Sequence, residues 1–141
     1  MKVTSIAIVG IILVAAGVFA AVGPWTVVPV CEAGNPPLYT QTITGKNLSM
    51  PCGYTARAEI GVGSLIVMGG LGLMMARTPG TRRGLGYMGL GLGALALLLP
   101  TSLIGVCSNA THNCVLSTRP SLVILGGVVM LSSAYVLLKA R

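Results

Sequence analysis

The residues of this chain that could carry chemistry are four cysteines, one histidine and two acidic residues. Cys31 and Cys52 bracket one polar stretch, and Cys107 and Cys114 bracket a second, shorter one. Cysteines in such groups can form structural disulfides, exchange disulfides with another molecule, or bind a metal ion as thiolates. The elements that position the cysteines, and the compartment that they face, decide among these chemistries.

Composition identifies the chain as an integral membrane protein. Of its 141 residues, 54% are hydrophobic and only 8% are charged, and the mean hydropathy is +0.90. A hydrocarbon core roughly 30 Å thick is crossed by about 20 apolar residues of helix. We predict an all-α fold, a four-helix transmembrane bundle in a single membrane domain. Its spans are residues 3–22, 60–76, 84–100 and 121–138, its loops are residues 23–59 and 101–119, and its tight turn is residues 77–83.

The basic residues indicate how the bundle is oriented. Lys and Arg collect in cytoplasmic loops, and six of the nine fall on one predicted side, against three on the other. The majority side holds both termini and the tight turn (Lys2, Arg77, Arg82, Arg83, Lys139 and Arg141), and the minority side holds Lys46, Arg57 and Arg119. The pattern predicts a multi-pass protein of the plasma membrane with cytoplasmic termini. The first span could instead be a signal peptide cleaved after Ala20, but its length favours a retained helix.

Nucleic acid and nucleotide are not expected ligands. The net charge of +7 arises from basic residues that flank spans, and aromatic residues are only 4% of the chain, so no stacking surface for bases is present. Gly84, Gly86 and Gly89 match a G-x-G-x-x-G pattern. That fingerprint requires a preceding strand and a later acidic residue, and here a basic turn precedes it and apolar chain follows.

Cysteines on the oxidising side of a membrane most simply form structural disulfides. Three pairings are possible, and we favour Cys31 with Cys52 and Cys107 with Cys114, because each bond closes one loop. In the chain-entropy model each such bond constrains the unfolded state by roughly 2 to 4 kcal/mol. The prediction is therefore a bundle with two disulfide-closed extracytoplasmic loops.

Two chemical alternatives remain open for the same residues. Four spans with two cysteine pairs on one face also describe membrane thiol–disulfide oxidoreductases such as DsbB and vitamin K epoxide reductase, which pass electrons to a quinone. This chain lacks the C-x-x-C spacing that promotes rapid exchange. A metal site could combine His112 with Cys107 and Cys114, with Glu32 or Glu59 as a fourth ligand. We predict no catalytic residue, no cofactor and no metal.

The glycines indicate close helix packing. Of the 20 glycines, many repeat at short spacings inside the predicted spans, which lets a partner backbone approach. The candidate packing positions are Gly61, Gly63, Gly69, Gly70, Gly86, Gly89, Gly93, Gly126 and Gly127. The partner could be a helix of the same bundle, another membrane protein or a second copy of the chain.

Glu59 stands at the predicted start of the second span. A carboxylate there is costly unless it is hydrated, paired or neutral. We favour an interfacial carboxylate in the first helical turn, where the helix dipole stabilises it. A proton or cation contact, or a bond to a partner subunit, is the alternative. Tyr54, Arg57 and Glu59 are accordingly the candidate partner contacts.

The stretch C-G-Y-T-A-R-A-E-I-G-V-G at residues 52–63, L-I-G-V-C at 103–107 and T-R-P-S-L-V-I-L-G at 118–126 resemble the prokaryotic membrane family known as domain of unknown function 4418. The resemblance implies a four-span bundle, companionship with ABC-type permeases of the FtsX kind, and no established activity. Two positions depart from the expected pattern: Gly53 stands where we expect a histidine or similar polar residue, and Arg57 where we expect glutamine.

These observations favour a non-enzymatic function. We expect a small accessory or structural subunit that packs in the lipid bilayer against a larger membrane complex, such as an ABC-type permease, or against copies of itself. The alternative is the thiol–disulfide oxidoreductase, which requires the two cysteine pairs to lie within exchange distance.

Overall fold

The computed structural model describes residues 2–33, 37, 39–107 and 114–140. Its helices are α1 (Lys2–Thr26), α2 (Pro51–Met75), α3 (Pro79–Leu98) and α4 (Arg119–Lys139). A 3-10 turn spans Cys31–Ala33, and π-helical turns span Leu99–Leu103 and Cys114–Thr118. The predicted all-α fold is confirmed, and four helices are long and apolar enough to cross a membrane.

Proline marks the first turn of three helices. Pro51 opens α2, Pro79 opens α3, and Pro120 lies in the first turn of α4, where the missing N–H would have no intrahelical acceptor. At α3 the Thr78 hydroxyl also accepts a hydrogen bond from the Thr81 N–H at 3.3 Å. Helix α2 thus begins at residue 51, nine residues before the predicted span 60–76. Glu59 therefore lies two turns inside the helix and not in its first turn.

The helices pack most closely in two pairs, α1 with α2 and α3 with α4. In the first pair a Cβ on Gly63 would lie 2.5 Å from the carbonyl oxygen of Gly17. In the second, a Cβ on Gly126 would lie 2.8 Å from the carbonyl oxygen of Gly93. Because the hydrophobic effect does not drive helix association in lipid, close backbone packing of this kind supplies much of the attraction between the helices.

The candidate packing glycines divide into an inner and an outer set. Gly70 packs on Gly10 of α1, and Gly86 and Gly89 pack on Leu137 and Ser133 of α4. Gly61 and Gly127 have no described atom within 4 Å of an added Cβ, and Gly69 has only Met88, at 3.8 Å. Most of these glycines therefore serve contacts inside the bundle.

The interior and the outer surface of the bundle are both apolar. Small and branched side chains from all four helices fill the centre, among them Leu13, Ile66, Ala96 and Val129. Large apolar side chains also point outward on every helix, including Ile11, Met68, Leu98 and Leu131. An apolar outer surface on a four-helix bundle is what a lipid environment requires.

The long loop between α1 and α2 carries a small hairpin. Strand β1 (Thr40–Gln41) pairs antiparallel with β2 (Asn47–Leu48), and Gly45 in the turn has a φ of +77°. A second cluster of buried residues lies at this end of the bundle, where Val30, Ala56 and three cysteines pack together. This cluster forms the candidate site.

Candidate four-cysteine centre

Each cysteine reaches the centre from a different segment. Cys31 opens the 3-10 turn after α1, Cys52 is the second residue of α2, Cys107 follows the π-helical turn at the end of α3, and Cys114 opens the turn that leads into α4. The two ends of the long loop and the two ends of the short loop thus converge. We call the four sulfur atoms together the four-cysteine centre.

Two buried threonines fix the segments that carry these cysteines. The Thr55 hydroxyl donates to the carbonyl oxygen of Gly105 at 2.7 Å, two residues before Cys107. The Thr118 hydroxyl donates to the carbonyl oxygen of Val28 at 2.9 Å, three residues before Cys31. Each bond joins a helix end to the segment that precedes a cysteine. Both loops are therefore held to the bundle by side chains one turn from the centre.

The four sulfur atoms all lie within 4.8 Å of one another. The Cys31 sulfur is 3.5 Å from the sulfurs of Cys107 and Cys114, and the Cys52 sulfur is 3.3 Å from that of Cys107. The thioether sulfur of Met50 lies 3.8 Å from the Cys107 sulfur. Five soft ligand atoms thus occupy one small volume.

These spacings are close to those of a tetrahedral metal site. Metal–sulfur bonds of about 2.3 Å in a regular tetrahedron place neighbouring sulfurs about 3.8 Å apart. The observed closest contacts, 3.3 to 3.5 Å, differ from that edge by roughly half an ångström or less. A disulfide requires a sulfur separation of about 2.05 Å, which is a larger displacement. The arrangement fits four-sulfur coordination with little movement.

The centre is largely shielded from water, and this shapes its acid–base chemistry. Cys31, Cys52 and Cys114 are buried, and Cys107 is partly exposed. Burial raises the pKa of the Cys31 thiol to about 12, and burial also raises the pKa of Cys107. Several adjacent thiolates cannot form in such a place without a compensating cation. A bound metal ion would supply that charge.

The structure does not support the two predicted disulfides. No disulfide joins Cys31 to Cys52 or Cys107 to Cys114, and three sulfur contacts of 3.3 to 3.5 Å join a cysteine of one loop to a cysteine of the other. The prediction assumed two separate loops. In the fold, the hydroxyl tethers of Thr55 and Thr118 draw both loops into one cluster.

Gly53 and Arg57, the two positions that differ from the expected residues, share a single contact. The carboxylate of Glu32 lies directly against Gly53, where an added Cβ would overlap it. The same carboxylate accepts a hydrogen bond from Arg57 at 3.4 Å. Arg57 also lies over the ring of Tyr54, 5.9 Å from its centroid. Glycine at position 53 and arginine at position 57 therefore both accommodate Glu32.

The three candidate partner contacts occupy different surroundings. Tyr54 is half-exposed, and the Arg57 side chain is 56% exposed, so both could contact another protein. Glu59 is 0% exposed and lies inside the bundle. The expected position in the first helical turn is wrong, because α2 begins at Pro51. Buried in this way, Glu59 presents no surface to a partner.

No spacing in the sequence directly indicates the four-cysteine centre. The predicted metal-ligand candidate His112 lies outside the described residues. Met50 was not among the predicted ligands. The one usable signal was Pro51, because a proline followed by a helix-compatible stretch predicts a helix start. Starting α2 there places Cys52 in its first turn, where the helix dipole favours a thiolate.

Comparison with known proteins agrees with the family resemblance. The model of one family, described as Domain of unknown function (DUF4418), matches residues 5–139. No curated protein and no solved structure matches the chain. Because the match covers both loops, all four cysteines lie within it. The chain therefore belongs to the DUF4418 family.

Proposed function

We propose that this protein is a membrane metal-binding protein whose four-cysteine centre holds one soft metal ion, of the class of Zn²⁺ or Cu⁺. The observation that carries the proposal is the convergence of four sulfurs, from four separate segments, to within 4.8 Å of one another. Thiolate sets of this kind select soft ions, whereas Mg²⁺ and Ca²⁺ prefer oxygen ligands. The Met50 thioether 3.8 Å from the Cys107 sulfur adds to the same preference.

Burial decides how protons and a metal ion would exchange at the centre. The raised pKa values of Cys31 and Cys107 mean that these sulfurs lose their protons only when a cation replaces them. The first turn of α2 contributes a partial positive charge near Cys52. The partly exposed Cys107 gives an ion a way in from the aqueous side.

Metal titration of the full chain tests the proposal. The protein is purified in detergent under reducing, oxygen-free conditions and titrated with Co²⁺, whose visible absorption reports tetrahedral thiolate coordination. We expect one Co²⁺ per chain, displaced by Zn²⁺. The Cys52→Ser variant should lose the signal, whereas Ser49→Ala should keep it. An unchanged spectrum in Cys52→Ser, or no tetrahedral spectrum in the parent protein, would contradict the proposal.

Thiol–disulfide exchange is the second candidate function, and a specific observation favours it. The sulfur contacts form a continuous path from Cys114 through Cys31 and Cys107 to Cys52. Along such a path a thiolate can attack a neighbouring disulfide, so that one S–S bond forms, another breaks and a different thiolate is released. With a disulfide-bearing partner protein, two thiols here would become a disulfide as the partner's disulfide becomes two thiols.

Alkylation of the thiols separates the two candidates. The metal-free protein is mixed with an oxidised thioredoxin-like protein, quenched with acid and treated with a maleimide reagent that adds mass for each thiol. Exchange predicts loss of two reactive thiols and transient mixed disulfides, enriched in a variant that lacks one cysteine. Metal binding alone predicts four reactive thiols before and after mixing.

The membrane setting and the partner are also part of the proposal. The basic residues that define the orientation, among them Arg77, Arg82 and Arg83, lie at the opposite end of the bundle from the cysteines, which is consistent with cytoplasmic termini in the plasma membrane. An accessory role beside a larger complex, such as an ABC-type permease, has weaker support than the sequence suggested. Most packing glycines contact the chain's own helices, which leaves Gly61, Gly127 and the exposed Tyr54 and Arg57 for a partner.

A further inference from the structure

Glu59 is a buried acidic residue that the four-cysteine centre does not use. It lies in the third turn of α2 and is 0% exposed, and neither carboxylate oxygen has a hydrogen-bond partner among the described residues. An ionised carboxylate without partners is strongly disfavoured inside a membrane protein. The neutral acid avoids that cost. A carboxyl group held in this way is poised to bind and release a proton.

The surroundings of Glu59 favour a proton over a metal cation. Hard cations need several oxygen ligands, typically six or more, and no polar atom of the described residues lies within hydrogen-bond distance of the carboxylate. A proton needs only the carboxylate itself. Among the other charged side chains, Glu32 pairs with Arg57 through one carboxylate oxygen, and Arg119 is exposed.

The remaining titratable groups on the elements packed against α2 are few. The 3-10 turn contributes Cys31 and Glu32, α1 contributes only Lys2, at its N-terminus, and the start of α3 contributes Arg82, Arg83 and Tyr87 toward the far end of the bundle. On α2 itself the nearest titratable side chains are Cys52, Tyr54 and Arg57. Glu59 is the only acidic residue inside the described part of the bundle.

The face of α2 that carries Glu59 has a polar residue on the side of the cysteine end. Thr55 lies one turn above Glu59 on the same face, is buried, and donates to the Gly105 carbonyl in the partly exposed segment before Cys107. Below Glu59 the same face continues with the buried residues Val62, Ile66 and Leu73. On this face of α2, a polar residue therefore adjoins Glu59 on the cysteine side, and apolar residues follow it on the other side.

We propose that Glu59 is a proton-binding site inside the membrane, reached only from the cysteine end through Thr55. Because access is from one side, the site binds and releases protons without conducting them across the bilayer. This inference does not depend on metal binding at the four-cysteine centre. It concerns a different group, on the same face of α2 but two turns deeper in the bundle.

Carbodiimide labelling tests the proposal with a control built into the chain. A hydrophobic carbodiimide adds to a protonated carboxyl group and gives a stable N-acylurea, so the reagent reports neutral acids in apolar surroundings. The chain has only two acidic side chains, and Glu32, unlike Glu59, is ion-paired with an arginine, Arg57. In the full chain reconstituted in vesicles, we expect peptide mass spectrometry to find the label on Glu59 and not on Glu32, with labelling that falls as the pH is raised.

Variants make the result decisive. Glu59→Gln should abolish labelling while it keeps the helix content and the Co²⁺ spectrum, which separates this inference from the metal proposal. After a jump to high pH, the reactivity of Glu59 toward the carbodiimide should decline at least several-fold more slowly in Thr55→Val than in the parent protein. Thr55→Ser should restore the parent rate. Labelling of Glu32 as fast as Glu59, labelling that does not change with pH, or an unchanged rate in Thr55→Val would each overturn the proposal.

Discussion

At the cysteine end of the bundle, polar and titratable side chains are buried and touch one another. The four sulfurs lie within 4.8 Å of one another, and two buried threonine hydroxyls tie the adjoining segments together. At the basic end, Arg77, Arg83 and Lys139 are exposed. The Arg82 and Arg83 side chains there donate to the carbonyl oxygens of Ala76 and Ala140, which lie where helices end.

The difference indicates that the basic end serves membrane orientation and that the cysteine end serves chemistry. Cations that bond helix-end carbonyls complement the helix dipole and favour one orientation of the protein in the membrane. Replacing a single one of them changes the free energy of unfolding little. Buried soft ligands have no such role, because each thiolate formed there carries a desolvation cost that a bound cation offsets. The cysteine end therefore has the features of a binding site, and the basic end has those of a region that sets membrane orientation.

Removal of one sulfur should produce the largest effect. Replacing Cys52 with serine keeps the size of the side chain but removes a soft ligand from the centre. Changing groups that merely support metal ligands typically costs about 10- to 100-fold in affinity, so losing a ligand should weaken Zn²⁺ binding by more than about 100-fold. Competition with a chromogenic chelator measures the change.

The matched control for this variant comes from the basic end. Arg83→Ala removes an exposed side chain and its bond to Ala140, so Zn²⁺ affinity should equal that of the parent protein. If Arg83→Ala and Cys52→Ser weakened binding alike, the contrast between the two ends would be lost.

Acidification should weaken metal binding over a wide pH range. The pKa of Cys31 is raised to about 12 and that of Cys107 is also raised, so both sulfurs are protonated at neutral pH and must release protons when an ion binds. Affinity therefore rises with pH and falls as pH drops. At least one proton released per ion implies a fall of about 100-fold or more between roughly pH 8 and pH 6. Zn²⁺ titrations at several pH values measure the slope, and a flat profile would contradict thiolate ligation.

Two glycines of α3 test how closely this helix packs against α4. A Cβ on Gly93 would lie 2.8 Å from the Cγ of Met130 and 2.9 Å from its backbone nitrogen, whereas Gly91 has nothing within 4 Å. Gly93→Ala should reduce the free energy of unfolding by about 1 to 3 kcal/mol through overpacking. Gly91→Ala should leave it unchanged or raise it slightly, because alanine favours helix. Unfolding in mixed micelles compares the two, and equal losses would count against the packed α3–α4 seam.

The contact between Glu32 and Gly53 should give the smallest and most local effect. Gly53→Ala places a methyl group against the Glu32 carboxylate, so this substitution should destabilise the protein. In a Glu32→Ala background the same change should cost less, with a coupling of roughly 0.5 to 3 kcal/mol. Arg57→Ala alone should cost under about 1 kcal/mol, since the arginine is exposed. A double-mutant cycle on the free energy of unfolding measures the coupling, and strict additivity would refute the shared contact.

The sequence sufficed for the helices because apolar runs of span length report directly on the membrane. It did not suffice for the cysteines. Cys31 and Cys114 are 83 residues apart in the chain and 3.5 Å apart in space, and no spacing rule connects them. Pairing each cysteine with its neighbour in sequence was the simplest assumption. The hydrogen bonds of Thr55 and Thr118, which bring the loops together, have no signature in the sequence.

Glu59 illustrates a second limit. Its position relative to the membrane depended on where α2 begins, and the polar residues between Pro51 and Glu59 resemble a loop by composition alone. Helix α2 begins at Pro51, and the carboxylate of Glu59 is buried inside the bundle. By contrast, glycine packing was predictable in kind, because short glycine spacings remove side chains from one face. Which glycines face a neighbouring helix, such as Gly63 and not Gly61, required the fold.

X-ray absorption at the zinc edge tests the central claim most directly. The full chain, purified in detergent without oxygen and loaded with one Zn²⁺, should show a shell of four sulfur atoms at about 2.3 Å and no oxygen or nitrogen ligand. A shell that contains oxygen or nitrogen, or failure of the reduced protein to retain Zn²⁺, would contradict a metal-binding four-cysteine centre.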